Sequence, residues 1–242
     1  MRPFWIALQF LTRLPVANQG HISPDEQGRS VLFYPLVGIV IGLALVLTAW
    51  LANSQPHLLA AALILAVWIA ITGALHIDGL ADTVDGWVGG QGDHERTMSI
   101  MKDPFCGPMG LAAIIEVLLV KFAAINSLLE HGHLAWLLIA PLLARAAVIA
   151  LFRWTPYVRT NGLGSAHADS LPHDSVAWAL GGCALLTLIV VGWGALAVLL
   201  VGALLFYWLR SRMLQRLGGT TGDTTGAMIE ILEAGILVAL VW

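Results

Sequence analysis

What most constrains this chain is a series of apolar stretches almost free of charge, near 31–51, 57–76, 110–129, 134–152, 175–192, 194–209 and 227–242. An α-helix rises 1.5 Å per residue, so about 17 to 25 such residues cross a hydrocarbon core roughly 30 Å thick. The expected fold is therefore all-α: a polytopic membrane helical bundle of about seven transmembrane helices, with 1–242 read as one membrane-embedded domain. The last stretch is short, and the fifth and sixth are parted only by Gly192, Trp193 and Gly194, so the count can run from six to eight. Composition agrees. The chain is 58% hydrophobic and 11% charged, against roughly 45–50% and 25% in soluble domains.

Residues 1 to 30 open with an apolar run too short to span, broken by Gln9, Arg13 and Pro15. They are expected to form an interfacial amphipathic helix, with Trp5 and Phe10 at the headgroups and Arg13 snorkelling. With seven spans, Arg2, Arg13, Arg29, Arg96, Lys102, Arg153, Arg159, Arg210, Arg212 and Arg216 fall on one side, and the short connections opposite carry no Lys or Arg. By the positive-inside rule that side is cytoplasmic. It also holds every long polar segment, 77–109, 153–174 and 210–226. A transporter is expected to show midplane binding groups and internal repeats. Here no repeat is visible and the polar chemistry gathers at one interface, the pattern of an enzyme fed from the cytoplasm. A net charge of −3 gives no reason to expect a nucleic-acid partner. Cys106 and Cys183 form neither a metal spacing nor a disulfide framework.

The stretch TGALHIDGLADTVDGWVGG, from Thr72 to Gly90, follows the second apolar run. Asp78, Asp82 and Asp85 stand at i, i+4 and i+7, within an arc of roughly 60° on a helix. Three like charges on one face repel and call for a compensating cation, so a divalent metal is expected there. Gly79 and Gly86 lie about a quarter-turn away, where a bulky polar ligand or a neighbouring helix can approach closely.

Further on, Arg96 and Lys102 are suited to phosphate oxygens, and Asp103 to a metal or to general-base work. The loop 153–174 is rich in turn residues, and the backbone amides of Asn161 to Gly164 are placed to cover a ligand. In LGGTTGDTTGAMIEILEAG, Gly218, Gly219, Gly222 and Gly226 surround Asp223, and Glu230 lies seven residues on, on the same helix face. Carboxylates within a span turn inward to a partner or a metal, which favours a functional role for Asp223 and Glu230. Glu116, Lys121 and Arg145 are expected to form structural ion pairs between spans.

The chain resembles the cobalamin synthase family, the adenosylcobinamide-GDP ribazoletransferases. The resemblance runs over nearly its whole length through TRLPV, RSVLFYPLVGIVIG, GALHIDGLADTVDGW, ERTMSIMKD, NGLG and GGTTGDTTGAMIEILE. After Asp103 the family more often continues Ser-Arg, where this chain has Pro104 and Phe105. The resemblance implies attack of a ribose hydroxyl of α-ribazole, or its 5′-phosphate, on adenosylcobinamide-GDP, with release of GMP and Mg²⁺ as cofactor. It implies metal ligation by Asp78, Asp82, Asp85 and Asp223, catalysis by Asp82, Asp103 and Asp223, and substrate binding by His76, Arg96, Lys102, Gly219, Gly222 and Glu230. It also implies a bacterial inner-membrane location with the site facing the cytoplasm. Beyond the two substrates and the bilayer, other pathway enzymes and a second copy of the chain are the partners it allows. Asp82, Asp85 and Gly86 also match half of the CDP-alcohol phosphotransferase signature, an analogy in mechanism. A membrane prenyltransferase and a corrinoid or metal transporter are the competing readings.

Overall fold

The computed structural model describes residues 2–17, 19–159 and 164–242, and among these the chain is helical, with a lone parallel bridge between Tyr157 and Thr220. An amphipathic helix, α1 (Arg2–Leu11), buries Ile6, Ala7, Leu8 and Leu11 and exposes Trp5. The next, α2 (Pro24–Val31), is started by a Ser23–Glu26 capping box with Pro24 in its first turn. Then come α3 (Tyr34–Leu51), α4 (His57–Thr72), α5 (Leu75–Gly89), α6 (His94–Ile100), α7 (Pro108–Glu130) and α8 (Ile139–Trp154). The short α9 (Ser165–Asp169) leads to α10 (Val176–Val191), α11 (Ala195–Leu217) and α12 (Gly222–Val241).

By length and apolarity, five helical stretches can cross a membrane, six if α4 and α5 are taken together. One of the five is the 45-residue stretch His173–Leu217. It folds back at Gly192–Gly194, because Leu180 and Cys183 on one arm line the same cavity as Gly202 and Phe206 on the other. Counted as two arms, with α4 as its own span, the crossings match the seven apolar stretches of the sequence. The second differs in extent: it stops at Thr72, since Gly73 (φ 62°) and Ala74 (φ 58°) both take left-handed conformations and turn α5 by 87° from α4. The aspartate helix thus lies across the end of the bundle, outside the spans. The last helix starts earlier than its apolar run, at Gly222, because Thr221 caps it.

The centre is made by α3, α8 and α12. Gly38 and Gly42, one turn apart, let α3 rest on the α8 segment at Pro141, Leu142 and Leu138, the close approach that small residues permit between membrane helices. Outward faces carry Leu43, Leu47, Leu111, Leu119, Leu196 and Leu200, all exposed, as lipid contact requires. Exposed tryptophans mark both ends: Trp154, Trp178 and Trp208 at the end that carries α5, and Trp50, Trp193 and Trp242 at the other. One expectation is corrected. Phe10 is not at the headgroups: its ring stacks on His167 at 4.6 Å and on Tyr34 at 6.2 Å, turned inward from α1.

Lys121 and Arg145, the two basic residues placed inside spans, are buried and charge-balanced. Lys121 Nζ lies 2.6 Å from Glu230 and 2.5 Å from Glu233, and Arg145 pairs with Glu233. A buried charge is tolerated only when it is paired in this way.

Candidate active site

The α5 helix forms over the expected residues and carries its three aspartates on one face, but tertiary neighbours give each a different surrounding. Asp85 accepts hydrogen bonds from Gly107 N–H (2.7 Å) and Gly110 N–H (2.8 Å), satisfying orphan donors at the start of α7. Gly107 and Gly110 leave room for that carboxylate: a Cβ on either would lie within 2.5 Å of an Asp85 oxygen. Asp78 is exposed and Asp82 half-buried. Burial first, then the charges of Asp78, Asp223 and Asp85, raise the Asp82 carboxyl to about 6, with Arg159 opposing.

Asp223 arrives from the other end of the sequence by close helix packing. A Cβ on Gly79 would meet the Asp223 carbonyl oxygen at 2.7 Å, and one on Gly226 would meet His76 at 3.2 Å, so α5 and α12 cross almost backbone to backbone. Gly86 serves the same purpose toward Thr97 and Met101 of the α6 region. Of the two approaches these glycines allowed, it is the neighbouring helix that the structure shows. The start of α12 is held rigid by its threonines: Thr221 and Thr224 form a capping box, and the Thr225 hydroxyl donates to the Thr221 carbonyl at 2.7 Å.

Arg159 completes the group. Thr220 N–H donates to the Pro156 carbonyl (2.8 Å) and Val158 N–H to the Thr220 carbonyl (2.9 Å), aligning 156–158 beside the α12 start. This delivers the Arg159 guanidinium to Asp223 at 2.9 Å. Asp78, Asp82, Lys102, Asp103, Arg159 and Asp223 then line one polar cleft, with Cys106 at its rim.

The remaining expected residues fall elsewhere. Gly219 is covered by Pro156, whose carbonyl a Cβ would meet at 2.2 Å, so its lack of a side chain serves packing and its face is closed to a diphosphate. Gly222 is exposed beside Asp223. Arg96 is exposed on α6 and does not line the cleft. Glu230 is not a cleft residue either: it is buried in the bundle with Lys121 as its partner, because two turns of α12 carry it below the surface. His76 is buried behind the cleft, with Arg145 Nη2 at 3.5 Å from its Nδ1. Asn161, Gly162 and Leu163, expected to cover a ligand, lie outside the described residues. Arg159 was visible in the sequence only as one cation of a mixed loop, since its partner is 64 residues away.

Among the described residues, no three His, Cys, Asp or Glu side chains converge into a ready-made metal cage. The donors present are carboxylates on an open cleft, a set that suits a hard cation retaining waters and shared with a phosphate.

The cobalamin-5-phosphate synthase family matches residues 3–241. An adenosylcobinamide-GDP ribazoletransferase of Pseudomonas syringae pv. syringae (strain B728a) is 52% identical over 240 residues, 99% of each chain. Proteins of the same name from Pseudomonas entomophila (strain L48) and Pseudomonas aeruginosa (strain UCBPP-PA14) are each 52% identical over 99% of this chain and 98% of their own. No solved structure matches. With the match unbroken from the amphipathic α1 through the aspartate helix to α12, the chain belongs to the cobalamin-5-phosphate synthase family.

Proposed function

We propose that this chain is an adenosylcobinamide-GDP ribazoletransferase, joining adenosylcobinamide-GDP to α-ribazole or its 5′-phosphate and releasing GMP. The observation that carries this reading is the cleft in which Asp78, Asp82, Asp103 and Asp223 face Lys102 and Arg159, in a chain about half identical to proteins of that name. The ribose hydroxyl forms a new O–P bond at the phosphorus attached to the cobinamide. The P–O bond of the diphosphate bridge breaks, the hydroxyl proton passes to a carboxylate, and GMP leaves. Lys102 and Arg159 hold phosphate oxygens. Asp82, whose carboxyl is raised to about 6, is the proton acceptor in this reading. Mg²⁺ would be held by Asp78 and Asp223, and would neutralise charge on the diphosphate. The excess of carboxylate in the cleft supports that cofactor. The basic residues at this end, set against connections opposite that have none, support a cytoplasmic orientation in a bacterial inner membrane.

The test is GMP release from adenosylcobinamide-GDP by detergent-purified protein, with and without α-ribazole 5′-phosphate and with and without Mg²⁺. Release requiring both, with a matching corrinoid product, is expected. Absence of release from folded protein overturns the reading, and uptake of labelled corrinoid into proteoliposomes would replace it with transport.

A further inference from the structure

Behind the cleft lies a second chamber, walled by α1, α3, α5, α8 and α12. Its space, including the part open to solvent, is about 690 Å³. Its lining is apolar and aromatic, with Phe10, Tyr34, Val148, Phe152 and Ile229, and it shares Asp78 and Asp223 with the polar cleft. The two compartments therefore meet at those carboxylates.

Among the described residues, two polar atoms in this wall have no partner. Tyr34 is 1% exposed and His76 3% exposed, yet neither Tyr34 Oη nor His76 Nε2 makes a hydrogen bond. The polar neighbour of His76 Nδ1 is the Arg145 guanidinium at 3.5 Å, which has only donors. Nδ1 thus accepts, and the proton sits on Nε2. Tyr34 and His76, which line the chamber, accordingly carry an unused O–H and an unused N–H, an arrangement that is costly unless a ligand completes it. A phosphate does not suit these apolar walls. An acyl chain would leave both donors unpaired. A flat heteroaromatic ring with a free ring nitrogen as acceptor satisfies the walls and takes up one of the donors.

We infer that this chamber, between Phe10, Tyr34, His76 and Phe152, binds the aromatic base of the ribazole, so that the ribose emerges at Asp78 and Asp223 facing the diphosphate. The inference rests on the transferase reading and adds the site of its second substrate. A benzimidazole bound to ribose through one nitrogen keeps the other as an acceptor, and Tyr34 Oη donates to it while the His76 ring flanks the base. Tyr34 and His76 are positioning residues: they set where the hydroxyl lies and take no part in its proton transfer.

The full-length protein in detergent, as wild type, Tyr34→Phe and Val148→Trp, is assayed for the KM of each substrate, and equilibrium binding of α-ribazole is measured alongside. Loss of the hydroxyl in Tyr34→Phe is expected to weaken α-ribazole binding and raise its KM by about tenfold. The KM for adenosylcobinamide-GDP should stay within about twofold, and the melting temperature should not fall, because the hydroxyl has no partner among the described residues. Val148→Trp, which fills the chamber, should raise the ribazole KM further and impair an imidazole analogue less than the benzimidazole. Unchanged ribazole affinity in Tyr34→Phe, or an equal change for both substrates, overturns the inference. If the wild type binds α-ribazole but releases no GMP, the transferase reading fails, and weaker binding by Tyr34→Phe still upholds the chamber.

Discussion

Asp82 and Asp85 sit one turn apart on the same helix face, yet their surroundings predict opposite responses to the same substitution. Asp85 has both oxygens on backbone donors of α7. Asn keeps one acceptor oxygen and turns its amide nitrogen toward the other N–H, so Asp85→Asn should lose part of the capping yet keep a measurable fraction of turnover, while Asp85→Ala should lose about 1 to 2 kcal/mol of stability. Direct metal ligation by Asp85 would make both variants equally dead. Among the described residues Asp82 accepts no such hydrogen bonds, and its carboxyl is raised to about 6 by burial and by neighbouring carboxylates. Asp82→Asn should abolish turnover while leaving the melting temperature unchanged or higher. The sign follows from linkage: the folded state holds the Asp82 proton more tightly than the unfolded chain, so this group's stabilising contribution is full at low pH and is lost as pH rises through about 6. Activity runs the other way. Proton acceptance by Asp82 requires the ionised form, so kcat/KM should climb as pH passes through about 6, and a flat profile from pH 5 to 8 would remove Asp82 from the chemistry.

The crossing of α5 over α12 is what turns two separate polar motifs into one cleft. Gly79 sits where a Cβ would come within 2.7 Å of a carbonyl oxygen that cannot swing away, whereas the contact at Gly226 is 3.2 Å and a shift of a few tenths of an ångström relieves it. Gly79→Ala should therefore push the helices apart and reduce turnover at least about tenfold, and Gly226→Ala should cost far less; geometry this close to the reacting atoms tolerates little displacement. Comparable losses in a side-by-side assay would refute the packing argument. The reversal at Gly73–Ala74 matters at this scale too, since it takes the aspartates off the spanning direction and lays them across the bundle end.

For the whole molecule, the buried network of Lys121, Glu230, Glu233 and Arg145 ties α7, α8 and α12 together far from solvent. Removing one partner leaves a buried charge uncompensated, so Lys121→Met should destabilise by about 3 to 5 kcal/mol, and adding Glu230→Gln should restore much of the loss. A detergent melting series on the single and double variants checks this; equal melting temperatures would show that the network carries no energetic weight. Orientation is testable through the two thiols, since Cys106 is exposed at the cleft rim and Cys183 is buried. A membrane-impermeant maleimide should label Cys106 in inside-out vesicles and spare it in intact spheroplasts. Labelling from the periplasmic side would reverse the topology.

The sequence by itself determined the membrane bundle, because runs of apolar residues have one stable form in lipid and their lengths are local facts. It also determined that Asp78, Asp82 and Asp85 share a face, because helical periodicity depends only on spacing. Only the tertiary structure decided what each carboxylate does. Asp85 caps a helix that begins more than twenty residues later, Glu230 finds Lys121 more than one hundred residues away, and Arg159 reaches Asp223 through a backbone bridge beside Gly219. Those outcomes turn on which backbones approach within hydrogen-bonding distance. That is settled by glycine-lined crossings between elements far apart in the chain, and no local pattern encodes it.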